Sequence, residues 1–476
     1  LRKKVKCRRV DHKLWWLSIL LSSWTLHGSA EAAAPTVKEP VECQLKSGEW
    51  AQCLKLDVPE NRRQPGGRTI SLHTAIFKAQ SPSKDHAPIY MLAGGPGQAA
   101  SEGFVPLPET FRRLRRQHDI VLIDQRGTGE SHPLRCTLDK DPKWDLLFNE
   151  KLAMEHSKKC VERLRADTDL LAYTTDAAAH DMEAVRQALG HKKIINFGVS
   201  YGTRLALRYL ALYPDAVEKQ ILEGVLPPDI NFIREKQAFF DSLQGLATLC
   251  RKDPSCQRWG DPWQQYQELK TAWARKPRVK VMDPRSGIMK DVTLRPEYLD
   301  SGLNTLLYHP IDMSIVPHIL HEAQAGNVAP LLAKALSAET GVYDGLYFLL
   351  VCAEDIRDLG TTLTDTQKTL ADMCQLLPET TLPADFRKQP VSQVPTLYLS
   401  GGLDPVTPPR YVASLNDSLP QSTHLILPDY GHNISYVSCI QDAVIAFVDS
   451  ATPTIPQPDC LKKMRGLHFF KGVPRP

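Results

Sequence analysis

From about residue 69 the chain alternates short apolar runs with amphipathic helical stretches, an order that few architectures can satisfy. "TISLHTAIF" alternates apolar and polar positions as a half-buried strand does. "PIYML" and "DIVLID" are apolar throughout, and each runs into a glycine-bearing loop. "DAAAHDMEAVRQALG" then carries Ala178, Met182, Val185 and Leu189 on one helical face, with Gly190 as its stop. "KIINFGV", the helix "GTRLALRYLALYP" and "KQILEGV" continue the series. Strands apolar on both faces, separated by helices, predict an α/β fold with a mostly parallel sheet covered on both sides.

The alternation stops near Pro227 and Pro228. Residues 228–389 read as a mainly helical insertion, with stretches such as "WGDPWQQYQELKTAWARK", and strand signals return with "VPTLYLSG", "THLILPD" and the helix "SCIQDAVIAFVDS". The expected organisation is a sheet domain in two parts, 35–227 and 390–476, interrupted by a cap over 228–389. In open α/β sheets ligands sit at the carboxyl ends of the strands, so an insertion leaving from there would roof the site.

Residues 1–34 read differently. A basic start, "LRKKVKCRRVDHK", precedes an apolar stretch, "LWWLSILLSSWTL", and then the small residues of "HGSAEAAAP". This is the pattern of a cleaved secretory signal, and the apolar part is short for a spanning helix, so no stable membrane insertion is expected after cleavage. The whole chain carries +4, but residues 1–30 hold seven Lys/Arg against one Asp, which leaves −2 for the rest. Nucleic acid is therefore not an implied partner. Of the eleven cysteines, Cys7 lies in the signal and ten remain, an even number that suits an exported, disulfide-bonded protein, periplasmic or extracellular. Neighbour pairing is the simplest expectation: Cys43 with Cys53, Cys136 with Cys160, Cys250 with Cys256, Cys352 with Cys374, and Cys439 with Cys460. Each link would stabilise by about 2–4 kcal/mol. No CxxC or HExxH spacing occurs, and neither a metal nor a cofactor is expected.

Gly198, Val199, Ser200, Tyr201 and Gly202 form G-x-S-x-G between a strand and a helix. A strained turn there lifts the serine hydroxyl above the sheet, and the glycines relieve the crowding. Serine is a weak nucleophile at neutral pH and needs a histidine base oriented by an acid, in the chain order Ser, Asp or Glu, His. Asp404 in "LYLSGGLDPVTPP" follows one returning strand, and His432 in "LILPDYGHNIS" follows the next. His424 falls inside a strand pattern and His468 in a basic tail, which leaves His432 as the base. The backbone N–H of Tyr201 and the glycine-rich loop of "YMLAGGPGQ", at Gly94 and Gly95, would supply an oxyanion hole.

Taken in order, "LAGGPGQ", "DQRGTGES", "GVSYGT", "GGLDPVTPP" and "YGHNIS" resemble the α/β-hydrolase serine peptidases of the prolyl aminopeptidase and tripeptidyl aminopeptidase family. With its disulfides and "VCAED" in the cap, the chain is most similar to the exported tripeptidyl aminopeptidase branch. The resemblance implies the α/β-hydrolase fold and a serine exopeptidase acting on peptide substrates. Ser200 would be nucleophile, His432 base and Asp404 orienting acid, with Gly95 and Tyr201 as oxyanion donors. Asp124 and Arg126 of "DQRG" are read as support for the loops. One departure is Ala93, where prolyl aminopeptidases usually carry His before Gly-Gly-Pro-Gly, which weakens a strictly proline-specific reading. An aminopeptidase also recognises a free α-amino group, and a carboxylate suits that task. Glu354 is the first candidate and Glu223 the second. The alternative function is a carboxylesterase or lipase-type hydrolase using the same triad, because a fold does not settle its substrate.

Overall fold

The computed structural model describes residues 39–472, apart from 65, 83–85, 138–142, 235, 285, 338–340, 357–358, 361–362, 453–456 and 465. The signal assigned to residues 1–34 lies outside them. A nine-stranded sheet is built from β1 (Val41–Gln44), β2 (Trp50–Pro59), β3 (Thr69–Phe77), β4 (Ile89–Leu92), β5 (Ile120–Ile123), β6 (Ile194–Val199), β7 (Val217–Glu223), β10 (Thr396–Gly401) and β11 (Ser422–Leu427). Between β7 and β10 a separate hairpin pairs β8 (Arg278–Met282) with β9 (Met289–Thr293). The large sheet runs in the order β1-β2-β3-β5-β4-β6-β7-β10-β11. Its first members are antiparallel, and from β5 onward every neighbouring pair is parallel.

The two-sided apolar character of the strands has a direct structural cause. Successive side chains on a strand point to opposite faces. Tyr90, Leu92, Val121 and Ile123 enter one core with Ala178, Met182 and Val185, whereas Ile89, Met91, Ile120 and Leu122 enter the other with Ile440, Val444 and Phe447. Helices Thr175–Ala188 and Tyr201–Leu212 therefore cover one face and Ser438–Asp449 the other. Every residue of β4 and β5 is buried.

Between β7 and β10, helices predominate and share a core that includes Leu243, Leu246, Tyr266, Leu299, Leu303, Met313 and Leu331. The β8–β9 hairpin is the strand pair within this mainly helical segment. Only Val281 and Val292 of its ten residues are buried, so the alternation in "RVKVM" is short and mostly solvated. The strands β1 and β2, before residue 69, also lie outside the alternation read from the sequence. Five disulfides join Cys43–Cys53, Cys136–Cys160, Cys250–Cys256, Cys352–Cys374 and Cys439–Cys460.

Candidate active site

Parallel neighbours place their carboxyl ends on one edge, and β4, β6, β7, β10 and β11 are five consecutive neighbours in the sheet. The loops that leave these ends hold, in that spatial order, Gly94–Gly95, Ser200, Glu223–Gly224, Asp404 and His432. Residues more than two hundred positions apart in the chain thus meet because of strand order alone.

Ser200 sits between β6 and helix Tyr201–Leu212 with φ 57° and ψ −124°, a conformation that non-glycine residues rarely adopt. Its N–H is tied to the Glu223 carbonyl at 2.8 Å, and its carbonyl accepts from the N–H and the hydroxyl of Thr203 at 2.9 and 2.6 Å. The helix can start this close to β4 because Gly202 has no Cβ, which would collide with the Leu92 carbonyl. A Cβ at Gly94 would lie 3.0 Å from the Ser200 Cβ, so the glycine-rich loop after β4 lies against the serine. Tyr201 opens the helix, and the first N–H groups of a helix have no partner within it.

His432 and Asp404 are joined directly, with His432 Nδ1 2.8 Å from Asp404 Oδ2. Both side chains are buried. Asp404 also accepts from the N–H groups of Val406 and Thr407 at 2.8 and 2.9 Å, and from the Thr407 hydroxyl at 2.8 Å. Burial alone would raise its carboxyl, but the His432 charge and these donors hold it below the usual carboxylate value. For His432 burial acts downward, and the Asp404 carboxylate, aided by Glu223, outweighs it and lifts the ring above its ordinary value. The ring lies over Gly224, where an added Cβ would stand 2.8 Å from Cε1, and Tyr308, from the segment between β7 and β10, faces it at 4.9 Å between ring centres. The His432 backbone N–H donates to the Tyr308 carbonyl at 2.8 Å. Nδ1 faces Asp404, while the opposite nitrogen, Nε2, is buried without a hydrogen-bond partner among the described residues. Such a ring is ready to take a proton from a neighbouring hydroxyl.

Both acids expected to meet a substrate amine are buried here and bonded within the protein. Glu223 is buried and accepts from the N–H groups of Ile434 and Ser435 at 2.6 and 2.7 Å and from the Ser435 hydroxyl at 2.8 Å. It thus fastens the loop that carries His432. Glu354 is buried too, and both of its oxygens are engaged by Thr175, through the N–H at 2.6 Å and the hydroxyl at 2.8 Å. Sequence reasoning missed Thr407, Tyr308 and Thr175. Thr407 had a local signal, a hydroxyl three positions after Asp404 in a turn; the other two act across the chain and had none.

Asp124 and Arg126 lie where support is needed. Asp124 accepts from the N–H and hydroxyl of Ser101 at 2.9 and 2.8 Å, and His73 Nδ1 stands 3.1 Å away. His424, inside β11, is bonded to the Ser400 hydroxyl at 2.9 Å and faces away from this chemistry. No group of three or more His, Cys, Asp or Glu side chains among the described residues is arranged to hold a metal ion.

Comparison with known proteins agrees with the geometry. The model of the α/β-hydrolase fold family matches residues 87–438. The chain is 29% identical over 262 residues to the serine protease Hip1 of Mycobacterium tuberculosis, covering 49% of this chain and 50% of that protein. It is 30% identical over 225 residues to a tripeptidyl aminopeptidase of Streptomyces lividans, covering 42% and 41% of the two chains. A proline iminopeptidase of Neisseria gonorrhoeae matches at 33% over 153 residues, covering 32% and 36%. These matches span half or less of the relatives' own length.

Proposed function

Because the chain belongs to the α/β-hydrolase fold family, we propose that it is an exported serine exopeptidase, cleaving peptide bonds near free N-termini through an acyl-enzyme on Ser200. The observation that carries the reading is the Asp404–His432 pair, its free Nε2 turned away from Asp404, with the ring over Gly224, whose neighbour Glu223 accepts from the Ser200 N–H. In the proposed reaction the Ser200 hydroxyl attacks the carbonyl carbon and its proton passes to His432 Nε2. Asp404 keeps the ring in the tautomer that leaves Nε2 able to accept and stabilises the imidazolium that forms. The tetrahedral oxyanion is received by the N–H groups of Gly95 and Tyr201. His432 then gives its proton to the departing amine as the C–N bond breaks. A water molecule, deprotonated by His432, attacks the acyl group, and Ser200 leaves with its proton restored.

Peptide substrates are supported by the names of the similar proteins, two of which are aminopeptidase-type. Export is supported by the five disulfides, which persist in oxidising compartments. No helix among the described residues is long and apolar enough to cross a membrane. The test is hydrolysis of unblocked aminoacyl and tripeptidyl amides beside short-chain acyl esters, with product masses read from a mixed peptide library. Release of one or of three residues from free N-termini is expected. Turnover of esters with no cleavage of any peptide would replace this reading with the carboxylesterase alternative.

The electrostatics also set a pH dependence. Only neutral His432 can accept the Ser200 proton, so activity falls as the ring protonates on acidification. Its value is raised above the ordinary 6.5, which moves the acid limb to higher pH. The kcat/KM profile should therefore lose its activity at a midpoint above 6.5, and a midpoint below it would contradict the Asp404–His432 coupling.

A further inference from the structure

Glu354 ends the helix Asp344–Glu354 of the cap, and Tyr343, the residue before that helix, begins it. The two ends touch the two loops from which oxyanion donors are expected. At the start, the Tyr343 N–H donates to the Gly97 carbonyl at 2.7 Å, and Gln98 and Val342 form an antiparallel bridge, so the glycine-rich loop is paired to the cap as a strand would be. At the other end, Glu354 reaches Tyr201 through one intermediate. A carboxylate only accepts, so the Thr175 hydroxyl must donate to Glu354 Oε2. That hydroxyl's remaining lone pair receives the Tyr201 phenol, whose oxygen lies 2.7 Å away. Gln125, from the loop after β5, donates to the same phenol oxygen at 3.2 Å. Tyr201, Thr175 and Glu354 are all buried, so no bulk water replaces a lost member.

The charges around the carboxylate are closed as well. Arg204, buried on the helix that follows Ser200, lies 4.0 Å from Glu354 and donates to Asp355 at 2.9 Å. Arg387 donates to the Glu354 carbonyl and stands 3.5 Å from Asp355. Burial pushes the Glu354 carboxyl up to about 7, opposed by Arg204 and the Thr175 donors.

Resting on the assignment of Ser200 as nucleophile, we infer that helix Asp344–Glu354 sets the oxyanion hole, with Glu354 as a positioning residue that acts through Thr175 on Tyr201. The cap is then part of the catalytic geometry, and its seat decides where the Tyr201 N–H points. Glu354→Gln keeps size and one acceptor but turns Oε2 into a donor, so the Thr175 hydroxyl loses the acceptor it donates to and, turning its hydrogen to the Tyr201 phenol, reverses that link. Tyr201→Phe removes the same link without touching Glu354 or its charged neighbours.

The experiment measures kcat and KM of the full chain and the two single and one double variant, on an unblocked peptide amide and on an N-blocked ester. Ser200→Ala and fluorophosphonate labelling in the same assay establish the nucleophile first, so failure of that assignment is seen separately. Each single variant should lower kcat about tenfold on both substrates with KM little changed, roughly the worth of one hydrogen bond. The double variant should add little, because the two residues form one link. Loss confined to the unblocked peptide would make Glu354 an amine-binding group and overturn the inference. So would an unchanged kcat in Tyr201→Phe, or a double variant whose losses multiply.

Discussion

Ser200→Ala is expected to lower kcat on unblocked peptide amides by about 10⁶-fold and to abolish labelling by fluorophosphonates. The size follows from the role. Without the hydroxyl no acyl-enzyme forms, and His432 has nothing to deprotonate but water, while the N–H groups of Gly95 and Tyr201 still favour a tetrahedral species and leave a small residual rate. The fold should survive. The backbone bonds of Ser200 run from its N–H to Glu223 and from its carbonyl to Thr203, and none uses the hydroxyl. Alanine has its Cβ where serine has one, so the φ of 57° costs the variant about what it costs the wild type. Unfolding in urea should therefore shift by no more than about 0.5 kcal/mol. Activity within about 100-fold of wild type would remove Ser200 from the mechanism.

The residues at the strand ends were legible in the sequence because each is announced locally, by an apolar run that stops at a loop. Ser200, Asp404 and His432 could be picked out one by one, and the order of strands in the sheet does the work of assembling them. The limits of that reading are equally physical. Glu223 and Glu354 are charged residues beside apolar runs, and nothing in a linear pattern tells an open carboxylate from one saturated by donors 179 or 211 positions away. The bonds that saturate them come from backbone N–H groups and hydroxyls across the fold, a kind that leaves no periodic trace. β2 was missed for a different reason. It has the alternation of a strand, buried at Ala51, Cys53, Leu54, Leu56 and Val58, but it joins the sheet antiparallel, one strand in from the edge, and belongs to no strand–helix repeat. The β8–β9 hairpin carries too little burial to stand out from a loop. Local signals thus placed Ser200, Asp404 and His432 at strand ends, while the long-range polar bonds that engage Glu223 and Glu354 are invisible in the chain.

Arg126→Met tests the other half of that division, the support beneath the site. Arg126 is fully buried and every nitrogen of its guanidinium is engaged: Nε and Nη2 hold Asp181 at 2.6 and 2.7 Å, and Nη1 donates to the carbonyls of Glu60 and Ala172 at 2.6 and 2.8 Å. Four segments converge on this one side chain: the loop after β5, the end of β2, the stretch before helix Thr175–Ala188, and that helix itself. Methionine replaces the aliphatic stem but not the guanidinium and donates nothing, so Asp181 keeps Arg62, which is about one-third exposed, and two carbonyls lose their donor. Breaking a buried pair by removing one partner costs about 3–5 kcal/mol where the charge left behind is uncompensated, and because Arg62 still faces Asp181 the lower end of that range is expected. Urea unfolding followed by fluorescence should show a loss of that size. The double variant Arg126→Met, Asp181→Leu should recover a large part of it, since an apolar pair leaves no orphaned charge. A single variant within about 1 kcal/mol of wild type would mean that the segments are held by packing, with the ion pair incidental. Gln125 precedes Arg126 and donates to Tyr201 at 3.2 Å, so loosening this loop should also lower kcat. That loss should be far smaller than the effect of Ser200→Ala, because the nucleophile, base and acid remain on strand ends that Arg126 does not touch.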